Sequence, residues 1–202
     1  MYTPRQNQVD DQAAHLAYMR AYSFATLTSA GRGGLMATHL PFVIEERDGR
    51  IELLAHMARA NAQWRDFGPE GEVMVVFMQP HAYIAPRLYD SRQNVPTWNY
   101  VAVHAYGRAA LIEARADKLE LQKKLIRQYD ADYLAQMDTL PESYIDAKLA
   151  AIVSFGIAVT RIDARYKLSQ DKSAAERERI ARDLEASADG VAADTARWMR
   201  RV

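Results

Sequence analysis

The sequence predicts a mainly β chain with peripheral helices (α+β), a six-stranded antiparallel barrel with helices packed outside it. Three observations predict it. Strand-like runs follow one another closely in the first half and are separated by Gly-rich and Asp-Gly breaks. No strand–helix–strand alternation runs along the chain, which argues against a doubly wound parallel sheet. Two helical segments precede the last long strand-like run, and one follows it. With 202 residues and 49% hydrophobic composition, there is enough apolar material for one large core.

The elements follow in order. Asp10 to Ala21 has Leu16 and Met19 at helical spacing, and Asp10 or Asp11 serves as the cap. Ser23 to Thr28 alternates as a strand and is broken by Gly31, Gly33 and Gly34. Leu35 to Ile44 is the next strand, and Pro41 demands an edge position or a bulge there. Asp48-Gly49 signals a hairpin that returns through Ile51 to Met57. Asn61 to Phe67 reads as a short helix, stopped by Gly68-Pro69. The β-prone run Val73 to Met78 belongs in the middle of a sheet. Gln79 to Pro96, with three prolines, reads as a long and functional loop. Thr97 to Ile112 is a long strand with Trp98, Tyr100, His104 and Tyr106 on one face and Asn99 on the other. Helices over Ala116 to Gln136 and Glu142 to Ala150 precede the last strand, Ile152 to Ile162. Ala174 to Trp198 is helical, with fraying expected around Gly190. Residues 1–172 are expected to form the barrel, and 173–202 a helical extension of the same domain.

Composition excludes several functions. The 26 basic and 26 acidic side chains cancel, whereas a dedicated nucleic-acid binder carries a basic excess to neutralise phosphates. Without cysteine there is no disulfide, thiol nucleophile or Cys-held metal. No apolar run approaches the ~18 residues of a membrane span, and the expectation is a cytoplasmic chain. The five histidines show no metal-ligand spacing, so no metal site is expected. Gly31 to Gly34 joins two strands instead of opening a helix, which disqualifies it as a dinucleotide fingerprint.

Three segments carry candidate chemistry. In His56 to Trp64 (HMARANAQW) a strand runs into a helix start, where free backbone N–H groups and Arg59 together suit an anion. The plain alternative is that Asn61 caps the helix and Arg59 is solvated. In Thr97 to Tyr100 (TWNY) the aromatics suit a core or an interface, but Asn99 needs hydrogen-bond partners wherever it is buried. In Ala164 to Lys172 (ARYKLSQDK), Lys167 suits a phosphate and Ser169 and Gln170 add neutral donors. The alternative is an ordinary connecting loop, with Ser173 capping the last helix.

Taken together, MYTP at the start, THLPF, HMARANAQW, VVFMQPHAYIAP, VPTWNYVAVHAYGR, AIVSFGIAVTRI and YKLSQDK resemble the PaiB family of FMN-binding negative transcriptional regulators. The resemblance extends to about Lys172 and implies the FMN-binding split barrel of the pyridoxamine 5′-phosphate oxidase type. It implies FMN as cofactor and a homodimer with its flavin sites at the subunit interface. By the same resemblance His56, Arg59 and Asn61 lie where phosphate and ribityl are held, and Thr38 and His39 lie on a strand passing the isoalloxazine. Trp98 and Asn99 border the ring, and Lys167, Ser169 and Gln170 close the site. Thr38, Tyr166 and Asp171 depart from the family pattern, and Asp171 adds a carboxylate that Lys167 or Lys172 must offset.

Two kinds of function follow from the resemblance, a flavin-binding transcriptional regulator or a flavin-dependent oxidoreductase or reductase. A haem-binding split barrel is a third. No side chain stands out as a catalytic acid or base, although His39 and His104 are available. Direct DNA binding is not expected. Arg177, Arg179 and Arg182 interleave with Glu176, Glu178 and Asp183, which makes a solvated helix face.

Overall fold

Seven strands form the sheet, in the order β2-β1-β5-β6-β7-β4-β3. They are β1 (Phe24–Gly31), β2 (Gly34–Pro41), β3 (Val43–Arg47), β4 (Arg50–Ala58), β5 (Glu72–Ile84), β6 (Thr97–Ile112) and β7 (Ile152–Lys167). The helices are α1 (Gln12–Ala21), α2 (Arg115–Tyr129), α3 (Tyr133–Met137), α4 (Glu142–Ala150), α5 (Ala174–Glu185) and α6 (Gly190–Met199). The computed structural model describes residues 1–31, 34–68 and 71–201, so Gly33 and Pro69 of the expected breaks lie outside the described residues. The fold is mainly β with peripheral helices, as expected, but the sheet has seven strands instead of six. The additional strand arises at Pro41, which ends the edge strand β2. After it, the Phe42 amide turns away to donate to the Ser23 carbonyl at 2.9 Å, and β3 starts afresh at Val43.

Other boundaries move for local reasons. Between β3 and β4, Asp48 (φ 51°) and Gly49 (φ 74°) form the two-residue turn that the Asp-Gly pair demands, with Arg47 opposite Arg50. β5 runs on through Pro80 to Ile84, so the irregular stretch is shorter than the proline content suggested. The expected helix over 116–136 is two helices, interrupted after Tyr129. The segment 174–198 is also two helices. Ser173 and Glu176 form a reciprocal capping box at the start of α5, and Asp189 caps α6, which begins at Gly190. It buries Thr195, Ala196, Trp198 and Met199.

The chain divides into two compact units: residues 1–15, 78–104 and 163–202, and residues 16–77 and 105–162. The core of the first includes Ile84, Val101, Tyr166, Leu168 and Ile180. The second packs Leu27, Phe42, Leu53, Phe77, Phe155 and Ile157. On β1, in the second unit, alternation puts Ala25, Leu27 and Ser29 inside. The register sets Thr26 beside His39 and Val76, and Thr28 beside Ala37 and Met74, on the outer face. That face also carries Phe24, 64% exposed, and Leu35, 84% exposed. No helix among the described residues is long and apolar enough to cross a membrane.

Candidate functional site

The candidate residues fall into two groups, one in each unit. The first is organised by the turn that follows β4. The Arg59 amide donates to the Ala151 carbonyl at 2.9 Å, and the Asn61 amide donates to the Ala58 carbonyl at 2.9 Å. Asn61 then caps a short 3₁₀ helix (Ala62–Asp66), its Oδ1 accepting from the Gln63 amide at 3.0 Å. The other half of the same side chain reaches back to β2, where Nδ2 donates to Thr38 Oγ1 at 2.9 Å. Thr38 Oγ1 donates in turn to Gln63 Oε1 at 2.5 Å. Among the described residues Thr38 Oγ1 accepts one bond and donates one, which leaves it one lone pair.

Gln63 was not among the sequence candidates, yet it holds this arrangement together. Its side chain is fully buried, and Nε2 lies 3.3 Å from the Leu27 carbonyl, 3.1 Å from Ser29 Oγ and 3.3 Å from the Met36 carbonyl. The amide therefore ties the turn to the β1–β2 hairpin. Nothing local in ANAQW sets Gln63 apart, because all of those partners are 27 or more residues away in sequence.

Arg59 is exposed, and its guanidinium is partly engaged. Nε donates to the Ala150 carbonyl at 2.6 Å and Nη2 to the Ile152 carbonyl at 3.0 Å. The charge thus rests at the C-terminal end of α4, where carbonyls lack helical partners. A guanidinium carries five N–H donors, so donors remain for a ligand. His39 is exposed on the outer face, opposite in the strand alternation to Thr38. His56 pairs in register with Ser154 and is turned toward α2, with Nδ1 3.2 Å from Gln122 Nε2. Burial lowers its pKa and favours the neutral ring. The structure thus joins Thr38, Arg59 and Asn61 through one turn, while His39 and His56 stand outside that hydrogen-bonded cluster.

The second group centres on the loop after β7. Asn99 is fully buried, and its partners answer the requirement that a buried amide imposes. Its Nδ2 donates to Ser169 Oγ at 2.9 Å and contacts Met199 Sδ at 3.4 Å, and Ser169 Oγ lies 3.1 Å from Asn99 Oδ1. Ser169 adopts a left-handed backbone, φ 61°, uncommon for a residue with a Cβ. Gln170 folds back on its own loop, Oε1 accepting from the Leu168 amide at 2.7 Å and Nε2 donating to the Tyr166 carbonyl. Lys167 Nζ donates to Thr97 Oγ1. Burial and the neighbouring Arg165 charge lower the Lys167 pKa, and the Asp171 carboxylate opposes them in part. The carboxylate of Asp171 is met by Lys172 at 3.3 Å, so the offset comes from Lys172. Trp98 is 52% exposed, and its ring stands edge-on to His81 and Tyr83 at 5.8 and 5.9 Å between centroids.

The sheet with its surrounding helices has the split-barrel fold. The chain belongs to the family described as "Putative FMN-binding domain", which matches residues 1–161, and its cofactor is FMN. It is 38% identical over 178 residues to the "Protease synthase and sporulation protein PAI 2" of Bacillus subtilis, covering 86% of this chain and 84% of that one, which places it among the PaiB relatives. An uncharacterized protein of Emericella nidulans is 25% identical over 72% of this chain and 73% of its own. Among solved structures, the FAD and heme binding protein from Mycobacterium smegmatis is similar with a TM-score of 0.63 and 16% identity, over 85% of this chain and 78% of that one. The flavocytochrome Anf3 from Azotobacter vinelandii gives 0.61 and 16%, over 81% and 74%. At such identities these two show the fold alone.

Proposed function

We propose that this chain is an FMN-binding homodimer whose work is done by the flavin on a small molecule, and not by reading DNA. The observation that carries the proposal is the outer face of β1, β2 and β5. Phe24, Leu35 and Ala37 are exposed there and Met74 and Val76 partly so, with Thr26, Thr28 and His39 between them. Exposed apolar side chains grouped on one sheet face mark a binding face. A flat flavin ring and a second copy of the chain both suit it, and together they would bury an obligate-type interface of over ~2,000 Å².

The donor set fits the cofactor. Arg59 supplies positive charge for a phosphate beside the Asn61 turn, Thr38 offers its free lone pair to a ribityl hydroxyl, and His39 lies on that outer face. Bound FMN supplies the hydride and electron chemistry, while the protein binds, orients and excludes water. Light scattering at micromolar concentration, together with visible absorbance near ~450 nm, tests the reading. A monomer, or protein that takes up no FMN, refutes it.

A transcriptional regulator is the second reading, and the similarity to the B. subtilis protein supports it. The charge arrangement argues against direct DNA contact. Arg179 pairs with Asp90, Arg182 with Glu178 and Arg197 with Asp194, and Arg200, just past α6, pairs with Glu178 and Glu185, so these arginines are largely neutralised in place. A sequence-specific mobility shift at nanomolar protein that survives physiological salt overturns this preference.

A further inference from the structure

The loop after β7 encloses a cavity of about 210 Å³, lined by Tyr89, Thr97, Asn99, Lys167, Ser169 and Lys172 among others. Pockets that hold whole drug-sized ligands begin near ~300 Å³, so this one has room for a small molecule or for one end of a larger one. Its polar groups are arranged from the floor upward. Asn99 and Ser169 are buried and bonded to each other, which fixes the left-handed turn at Ser169. Gln170 braces the same turn through Leu168 and Tyr166. The loop is therefore held in shape by its own side chains, at the cost of an unfavourable backbone conformation.

Charge is the second observation. Lys172 is matched by Asp171 and lies 4.8 Å from the centre of the Tyr89 ring. Lys167 is different. Its ammonium is half-buried and bonded to the neutral Thr97 hydroxyl, and no carboxylate among the described residues forms an ion pair with it. Two lysines and one aspartate line the space, leaving one positive charge unmatched. Arg165, two residues before Lys167, adds a second cation, stacked at 5.4 Å on Tyr100, with its Nε buried and unpaired. A partly buried ammonium beside another cation, sharing the single Asp171 carboxylate with Lys172, is stabilised by an incoming anion.

We propose that this cavity binds a small oxyanion, the phosphate or carboxylate of a low-molecular-weight substrate, with Lys167 as its charged contact. The inference deepens the flavin reading by naming the substrate class. Lys167 turns an N–H from the Thr97 hydroxyl to the ligand, and Lys172 with the Tyr89 ring forms the outer wall. Phosphate and carboxylate present the same acceptor oxygens to the ammonium, so the two are separated by experiment.

The test uses FMN-loaded full-length protein titrated calorimetrically with inorganic phosphate and with acetate at constant ionic strength, while flavin absorbance is followed in parallel. Saturable binding of one or both anions is expected with the flavin retained. Lys167→Met should weaken it at least tenfold, and Lys167→Arg, which keeps the charge and checks that the fold tolerates change there, should largely restore it. A phosphate-only or acetate-only response identifies the group recognised. The inference is overturned if neither anion saturates, if Lys167→Met binds as the wild type does, or if phosphate displaces FMN, since the cavity would then hold the cofactor's own phosphate. Protein that takes up no FMN defeats the flavin reading separately, and the same titrations on it still decide the anion site.

Discussion

Replacing Arg59 by alanine separates two roles that the structure combines in one side chain. The guanidinium holds the Ala150 and Ile152 carbonyls at 2.6 and 3.0 Å, and it is also the cation assigned to the FMN phosphate. Loss of the carbonyl contacts at an exposed site costs about 1 kcal/mol of stability, since water replaces the donor. Loss of a charge-assisted bond to phosphate costs about 1.5–3 kcal/mol, which is about tenfold to a hundredfold in affinity. Riboflavin has no phosphate and registers only the first effect. Titration of both proteins with FMN and with riboflavin, followed by quenching of flavin fluorescence, reads the difference directly. Arg59→Ala should weaken FMN by that factor and leave riboflavin almost unchanged. Equal FMN affinity in mutant and wild type refutes the assignment and reduces Arg59 to a cap on α4. Equal losses for both ligands show that the variant has disturbed the turn as a whole, and they refute the phosphate contact as well.

Three further outcomes are expected. Leu35→Glu combined with Phe24→Glu places charge on the outer sheet face and should convert the dimer to a monomer in light scattering, with FMN uptake falling in parallel. Gln63→Leu leaves the Leu27 and Met36 carbonyls and Ser29 Oγ without their donor, so thermal unfolding should shift down by about 6–12 °C, corresponding to about 3 kcal/mol. Burial lowers the pKa of both His15 and His56 below the unfolded value of about 6.5, so the unfolded chain binds protons more readily. Their contribution to stability is therefore full above pH ~6.5 and declines as pH falls below it; urea midpoints at pH 7.5 and 5.5 should differ for the wild type and differ less for His56→Gln.

Much of the fold was legible because the relevant physics is local. Asp48-Gly49 requires two left-handed residues, and the turn has them. Pro41 forbids an interior strand, and β2 lies at the sheet edge and stops there. Asn99 lies on the opposite strand face from Trp98 and Tyr100, where an amide needs partners if it is buried, and it is buried and partnered, while Trp98, whose type suited a core or an interface, is exposed in the single chain. The failures come from the same kind of residue, read one step too strongly. The prolines between Gln79 and Pro96 suggested a loop, but pairing with neighbouring strands carried β5 through Pro80. Helical periodicity carried across the interruption after Tyr129 because periodicity records which residues face inward, not where the backbone bends.

The site was legible in its residue types but not in its connections. Thr38, Arg59 and Asn61 announce donors and charge, yet what each can offer a ligand depends on bonds to distant parts of the chain. Thr38 is pledged to a glutamine 25 residues away, and Arg59 to carbonyls more than 90 residues away. Asn99 and Ser169, 70 residues apart, take up one another's donors and acceptors. Each partnership removes capacity from a side chain that the sequence presents as free. What remains for a ligand is one lone pair on Thr38, the unused N–H groups of Arg59, and the ammonium of Lys167, bonded among the described residues to a neutral hydroxyl. Ligand capacity in this protein is therefore set by subtraction: the groups left over after the fold has satisfied itself are the ones on which flavin and anion binding should depend.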